Sequence, residues 1–262
     1  MTSGSLAALR AERQAILEFC SGLTTDDWAA ASMAQGWTVK DVVTHMAASL
    51  RTLITPAAIP AMATKQIERL NDRSVDKSRS RSPEQVLDDF TSWTRRGIIA
   101  LNLLTAPAVG RLPLPVGELG RYPIKLFPAM YVFDWHTHLR HDIAPSLERP
   151  APPTDKQRMT AMMAWLTKLL EQSHRKQLAW LDATVSLTLH GPGGGTWQIE
   201  PLRDGGLHVR TGTTTGAVAH IIGQVLEFPV WGTGRVPWRS CDITLRGDTD
   251  VAERLLDNLD LV

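Results

Sequence analysis

A chain of 262 residues exceeds the roughly 100 to 150 residues typical of one domain, so two domains are the first expectation. A hydrophobic share of 43% and a charged share of 21% are ordinary for a globular protein, and no stretch approaches the roughly 20 apolar residues of a membrane span. Basic and acidic side chains number 28 and 27, for a net charge of +1, which excludes the broad positive footprint of a protein that binds nucleic acid or anionic lipid.

The chain begins without the basic segment and unbroken apolar run of a secretion signal. Arg10, Glu12 and Arg13 sit instead within a helical pattern in which Leu6, Leu9, Ile16 and Leu17 recur, predicting a helix over about residues 5 to 21. Thr24 and Asp27 resemble a capping box that starts a short turn. After Gly36, Trp37 and Thr38, the residues Val39, Val42, Val43, Met46 and Leu50 recur at helical spacing, and this second helix carries His45. The basic cluster of Lys77, Arg79 and Arg81, interleaved with serines, reads as a solvated loop rather than a phosphate site. Ser82, Pro83 and Gln85 then form a strong start signal for a long helix to about Leu104.

Seven prolines and glycines, from Pro107 to Pro123, exclude regular structure over most of residues 105 to 126, and so long a loop is usually functional, for example as a cover over a site. Helical patterning resumes at Pro128. The proline-rich run from Ala144 to Pro153 reads as a connection, which predicts a helical bundle over 1–148 and a second domain over 149–262. There a helix from about Asp155 to His174 precedes strands at 184–189, 196–199 and 207–210, with Gly191 to Gly195 as a turn. A helix from Ala217 to Glu227, a strand from Asp242 to Leu245 and a helix from Thr249 to Leu259 complete an α+β domain with an antiparallel sheet. No internal repeat is visible.

Cys20 and Cys241 are the only cysteines, too few for a disulfide framework or a thiolate metal site, and they read as buried thiols of a cytoplasmic protein. Asp134 and His138, four apart on a predicted helix, share one face about 6 Å apart along the axis and can grip one ion. A further histidine completes the three-ligand set of a catalytic zinc. His45, at the edge of its helix's apolar stripe, is the best candidate, because bundle cores hold metals through side chains from facing helices. His141, three residues after His138, competes for the same face, whereas His136 points elsewhere. The plainer alternative is a core histidine bonded to a carbonyl and an Asp–His contact on a helix surface.

Two blocks carry a resemblance. The first runs through Ala11-Glu12-Arg13, Leu23-Thr24-Thr25-Asp26-Asp27-Trp28 and Gly36-Trp37-Thr38-Val39-Lys40-Asp41-Val42-Val43-Thr44-His45. The second is Phe133-Asp134-Trp135-His136-Thr137-His138-Leu139-Arg140-His141-Asp142-Ile143. Together they resemble the mycothiol-dependent maleylpyruvate isomerase family, whose N-terminal domain is a DinB-like four-helix bundle. The resemblance implies a divalent metal, zinc by preference, held by His45, Asp134 and His138, with aspartate where the family's isomerase type has glutamate. The C-terminal half, with Gly191 to Trp197, Thr233-Gly234-Arg235 and Leu245-Arg246-Gly247-Asp248, looks like the family's sterol-carrier-like second domain. Arg235 is carried over there as a catalytic residue that handles substrate.

The family's chemistry further implies mycothiol, or a similar low-molecular-weight thiol, activated as thiolate by the metal. The expected protein is then an isomerase or S-transferase acting on a small electrophile, monomeric or homodimeric, with neither nucleic acid nor membrane as partner. Two other classes stay open. An apolar-ligand carrier is suggested by Phe228, Trp231 and Trp238 in the second domain, and a hydrolase using metal-bound water would draw a general base from Asp142 or His141.

Overall fold

Helix α1, Thr2–Ser21, buries Leu6, Leu9 and Ile16, as their spacing predicts. Thr24 Oγ1 accepts a hydrogen bond from Asp27 N–H, while the Asp27 carboxylate accepts one from Thr24 N–H, and this capping box starts the one-turn helix α2, Thr25–Ala29. Thr38 and Asp41 repeat the device at the start of α3, Val39–Leu53. Ser82 and Gln85 do so for α6, Pro83–Leu104. Between them lie α4, Ala58–Ala63, and α5, Ile67–Asp76, neither of which the sequence announces. Helix α4 buries no residue, and α5 buries only Val75, with Ile67 and Leu70 half-exposed on the same face, so its short apolar period is easily passed over. The basic cluster is a turn whose Arg79 and Arg81 carbonyls accept from Lys40 Nζ at 2.9 and 3.0 Å, while Arg81 pairs with Asp89.

In the computed structural model, residues 2–173 and 177–261 are described, in two units, Met1–Pro153 and Thr154–Val262. The first is a bundle of α1, α3, α6 and α7, Phe127–Thr137. Helix α3 lies close against α6 because Gly97 has no side chain. A Cβ there would stand 2.3 Å from Leu50 Cγ.

The stretch 105–126, expected to be irregular, holds a small hairpin of β1, Pro113–Pro115, and β2, Arg121–Pro123. Prolines occupy the strand ends, where a missing N–H costs the ladder least. At the other end of α7 the chain widens into a π-helical turn, His138–Ile143, in which Ala144 N donates to Leu139 O at 3.0 Å. Arg140, buried in that turn, binds Glu12 Oε2 at 2.8 Å and the carbonyls of Pro152 and Pro153 at 2.9 and 3.0 Å. The proline-rich run is thereby tied to the bundle up to its last residue.

The second unit opens with α8, Lys156–Ser173; the predicted end at His174 lies outside the described residues. Strands β3, Val185–His190, β4, Gly195–Pro201, β5, Leu207–Thr211, β6, Ala219–Gln224, and β7, Thr244–Gly247, form one sheet in the order β5-β4-β3-β6-β7. The segment predicted as a helix over 217–227 is therefore mainly strand. Its burial alternates, with Ala219 and Ile221 inside and His220 and Ile222 half-exposed, which is the period of a strand. It runs parallel to β3 while the other pairings are antiparallel, so the sheet is mixed rather than wholly antiparallel. Short α9, Phe228–Trp231, and α10, Thr249–Asp257, complete the unit. No helix among the described residues is long and apolar enough to cross a membrane.

Candidate metal centre

His45 comes from the middle of α3, and Asp134 and His138 from the end of α7 and the turn that follows it. One donor atom from each lies within 4.8 Å of the other two. Asp134 Oδ1 stands 3.4 Å from His45 Nε2 and 3.5 Å from His138 Nε2, longer than the roughly 2.9 Å of a good N–H···O bond. The other carboxylate oxygen, Oδ2, is buried with no hydrogen-bond partner, which costs about 1–3 kcal/mol or more for a charged group left so. Three donors that face a common point and meet one another only through long contacts, with an orphaned oxygen among them, fit a divalent cation. Two imidazoles and a carboxylate form a set suited to zinc and its borderline neighbours.

The fourth member is one the sequence offered only as a general base. Buried Asp142, four residues after His138, accepts from His138 Nδ1–H at 2.7 Å. That bond fixes the tautomer and turns Nε2 toward Asp134 and His45, the carboxylate–histidine support common behind metal ligands. Residues 134, 138 and 142 thus form a stripe at helical spacing that ends within the π turn. Burial works against a charged His138, but hydrogen bonds to Asp134 and Asp142 and their negative charges outweigh it and push its pKa up to about 9. Burial likewise opposes ionisation of Asp134, and the charges and hydrogen bonds of His45 and His138 overcome it, holding the carboxyl far below the usual carboxylate range. The cluster is an anion held between imidazoles.

Trp37 roofs it. Its ring centroid lies 5.1 Å from that of His45 and 6.4 Å from that of His138, and its Nε1–H donates to Asp72 of α5 at 3.1 Å. The competitor His141 is not brought into the cluster among the described residues; its ring packs toward that of buried His136, at 6.3 Å. Arg235, in the second unit, is exposed, and its Nη1 donates to Thr233 Oγ1 at 3.0 Å. Cys20 is buried and its thiol pushed up to about 12 by that burial. Cys241 is only half-buried, a departure from the expectation that both are enclosed. Phe228 and Trp231 are core residues packed edge to face at 4.7 Å.

The fold and the cluster define a class: a helical bundle with a His–Asp–His site between two of its helices, followed by an α+β unit. Residues 9–144 match the model of the mycothiol maleylpyruvate isomerase N-terminal domain, and the chain belongs to that family. Among solved structures it is similar to a mycothiol-dependent maleylpyruvate isomerase, at 13% identity and a TM-score of 0.57, covering 94% of this chain and 92% of that one. A histidine-to-alanine mutant of a mycothiol-dependent maleylpyruvate isomerase matches at 12% identity and a TM-score of 0.56, with the same coverage. At such identity these likenesses establish the fold, across both units. No curated protein matches the sequence.

Proposed function

We propose that this protein is a metal- and thiol-dependent enzyme, an isomerase or S-transferase acting on a small electrophile in a reducing cytoplasm, with mycothiol or a similar thiol as co-substrate. The observation that carries the reading is the convergence of His45, Asp134 and His138 around the unpartnered Asp134 Oδ2. Family membership supplies the thiol. A divalent cation, by preference zinc, would supply a Lewis acid that keeps a thiol ionised near neutral pH.

The chain's own part is to hold that ion and to orient what approaches it. His45 and His138 offer Nε2 and Asp134 its carboxylate. Asp142 keeps the His138 proton on Nδ1, and Trp37 covers one side of the cluster against water. No protein thiol is needed as nucleophile, in keeping with the raised pKa of Cys20. Arg235 is proposed to bind a polar or acidic group of the substrate, a guanidinium being suited to that task. Phe228 and Trp231 serve as core, which disfavours the carrier reading, and the engagement of Asp142 with His138 disfavours it as a hydrolase's base.

The test is metal analysis of the purified protein alongside His45→Ala, Asp134→Ala and His138→Ala, followed by thiol-dependent turnover of electrophiles. One equivalent of metal, lost in each variant together with thiol-dependent activity, is expected. A protein that takes up no metal on titration, or variants with unchanged metal content, overturns the proposal. Arg235→Ala should raise KM for an acidic substrate with metal content unchanged; an unaltered KM removes Arg235 from the site.

A further inference from the structure

A cavity of about 150 Å³ opens beside His45. Its walls come from α3, α4, α5, the hairpin and the start of α7, and include Leu53, Met62, Leu70, Phe127 and Met130. None of its lining residues is Lys, Arg, Asp or Glu. We propose that the electrophile carries an uncharged, apolar body of about the size of one or two rings that lodges in this cleft, and that small dicarboxylates are poor ligands there. The inference rests on the reading of His45 as part of the reactive site, and it adds the class of substrate.

Four features support it. A dianion seated against these walls, away from the cation proposed at His45, sheds hydration without gaining a counter-charge, which is unfavourable, whereas an apolar ring gains by burial. A cavity of this size lined by apolar side chains can hold a benzene-sized molecule. The nearest cation along α3 is turned away, since Arg51 lies 5.9 Å from the Trp93 ring, against α6. Even the lining phenol is engaged, with Tyr131 Oη donating to Ser49 O at 3.3 Å.

The walls are also built to stay in place. Glu118 Oε1 accepts from Ile67 N at 3.0 Å, joining the hairpin's turn to α5. Gly117 adopts φ +51°, and a Cβ there would stand 2.7 Å from Ile67 Cδ1; a glycine lets the two segments touch. The exposed helix α4 and the proline-rich hairpin thus acquire a purpose that their poor burial leaves unexplained.

The experiment uses the full-length protein, as purified, with ¹³C-labelled methionine methyl groups. Resonances of Met62 and Met130 are assigned through Met62→Leu and Met130→Leu. The probes are indole, uncharged and of suitable size, and maleate, a small dianion. Indole should shift both methyl signals saturably, while maleate at equal concentration leaves them unmoved. Ala61→Trp, which fills the cleft from α4, should weaken indole by at least about 10-fold. Thr52→Arg, which places a cation in the wall, should weaken indole and let maleate bind. The inference is overturned if wild-type protein binds maleate as well as indole, if indole moves only other methionines, or if neither variant alters indole binding. Metal content of the same sample separates the two readings. Indole binding without metal uptake overturns the metal-dependent function alone, and metal uptake without these shifts overturns the apolar cleft alone.

Discussion

Metal uptake by the metal-free protein should expel the proton that His138 holds between two carboxylates. Its pKa, pushed up to about 9 from an ordinary 6.5, leaves the ring protonated about 100 to 1 at pH 7. A metal must take Nε2 without its proton. Each rise of one pH unit below 9 therefore strengthens apparent affinity about tenfold, and from pH 7 to 8.5 the gain is about 30-fold, or about 2 kcal/mol. Asp134 contributes nothing to this slope, because it is already ionised across that range.

Calorimetric titration of zinc in two buffers of different ionisation enthalpy counts the protons released, and competition with a chelating dye measures affinity against pH. Asp142→Asn isolates the His138 share, since asparagine's carbonyl still accepts from Nδ1–H but carries no charge. The variant should release fewer protons at pH 7 and show a flatter affinity profile. A wild-type protein that releases no protons at pH 7, or an Asp142→Asn protein with the parental profile, would refute the reasoning.

The same residue sets a pH limit on the metal-free fold. A histidine whose pKa is raised on folding stabilises fully below 6.5 and loses that contribution as pH climbs through about 9. The amount is about 3 kcal/mol, so thermal unfolding of the metal-free protein should move to lower temperature between pH 7 and 9.5, less so in Asp142→Asn. The pair of Arg140 and Glu12, with side chains 5% and 0% exposed, should cost about 3–5 kcal/mol when Glu12→Ala leaves the guanidinium unpaired. Denaturant unfolding measures this, and Glu12→Leu combined with Arg140→Met should recover much of the loss. Gly97→Val should cost about 1–3 kcal/mol or more by forcing Leu50 from its place. Trp37→Ala should weaken metal binding about tenfold, the scale of other groups that steady ligands, while leaving the helical content of the protein unchanged by circular dichroism.

Elements with local signals were legible from sequence. Capping boxes at Thr24 and Ser82 and the apolar period of α1 and α3 are written within a few residues of one another, and they need no partner to be recognised. Helix α4 buries nothing and carries no such signal, while in α5 the period of Ile67, Leu70 and Val75 is short and no capping side chain announces it. The segment over 217–227 misleads for a different reason. Its apolar residues are dense enough to satisfy either period, and the alternation that decides it comes from pairing with β3 and β7 on either side, neighbours that lie far off in sequence.

The site divides along the same line. The spacing of Asp134 and His138 is local and visible, and the choice of His45 needed the resemblance as well as its position on a stripe. Asp142 repeats the four-residue interval beyond His138, so a signal for it existed, yet an acidic residue at that spacing is as often a surface contact. Its burial settles the matter, and that burial is produced at a distance: Arg140, two residues earlier, is drawn inward by Glu12 of α1 and by the carbonyls of Pro152 and Pro153. The π turn that carries both residues is therefore held to the first helix through Arg140 and to His138 through Asp142. The buried ion pair of Arg140 with Glu12 ties this turn to α1 and so helps to fix where His138 and Asp142 stand. Sequence reading offers the candidate donors, while the contact that ties their turn to the first helix, Arg140 to Glu12, spans 128 residues.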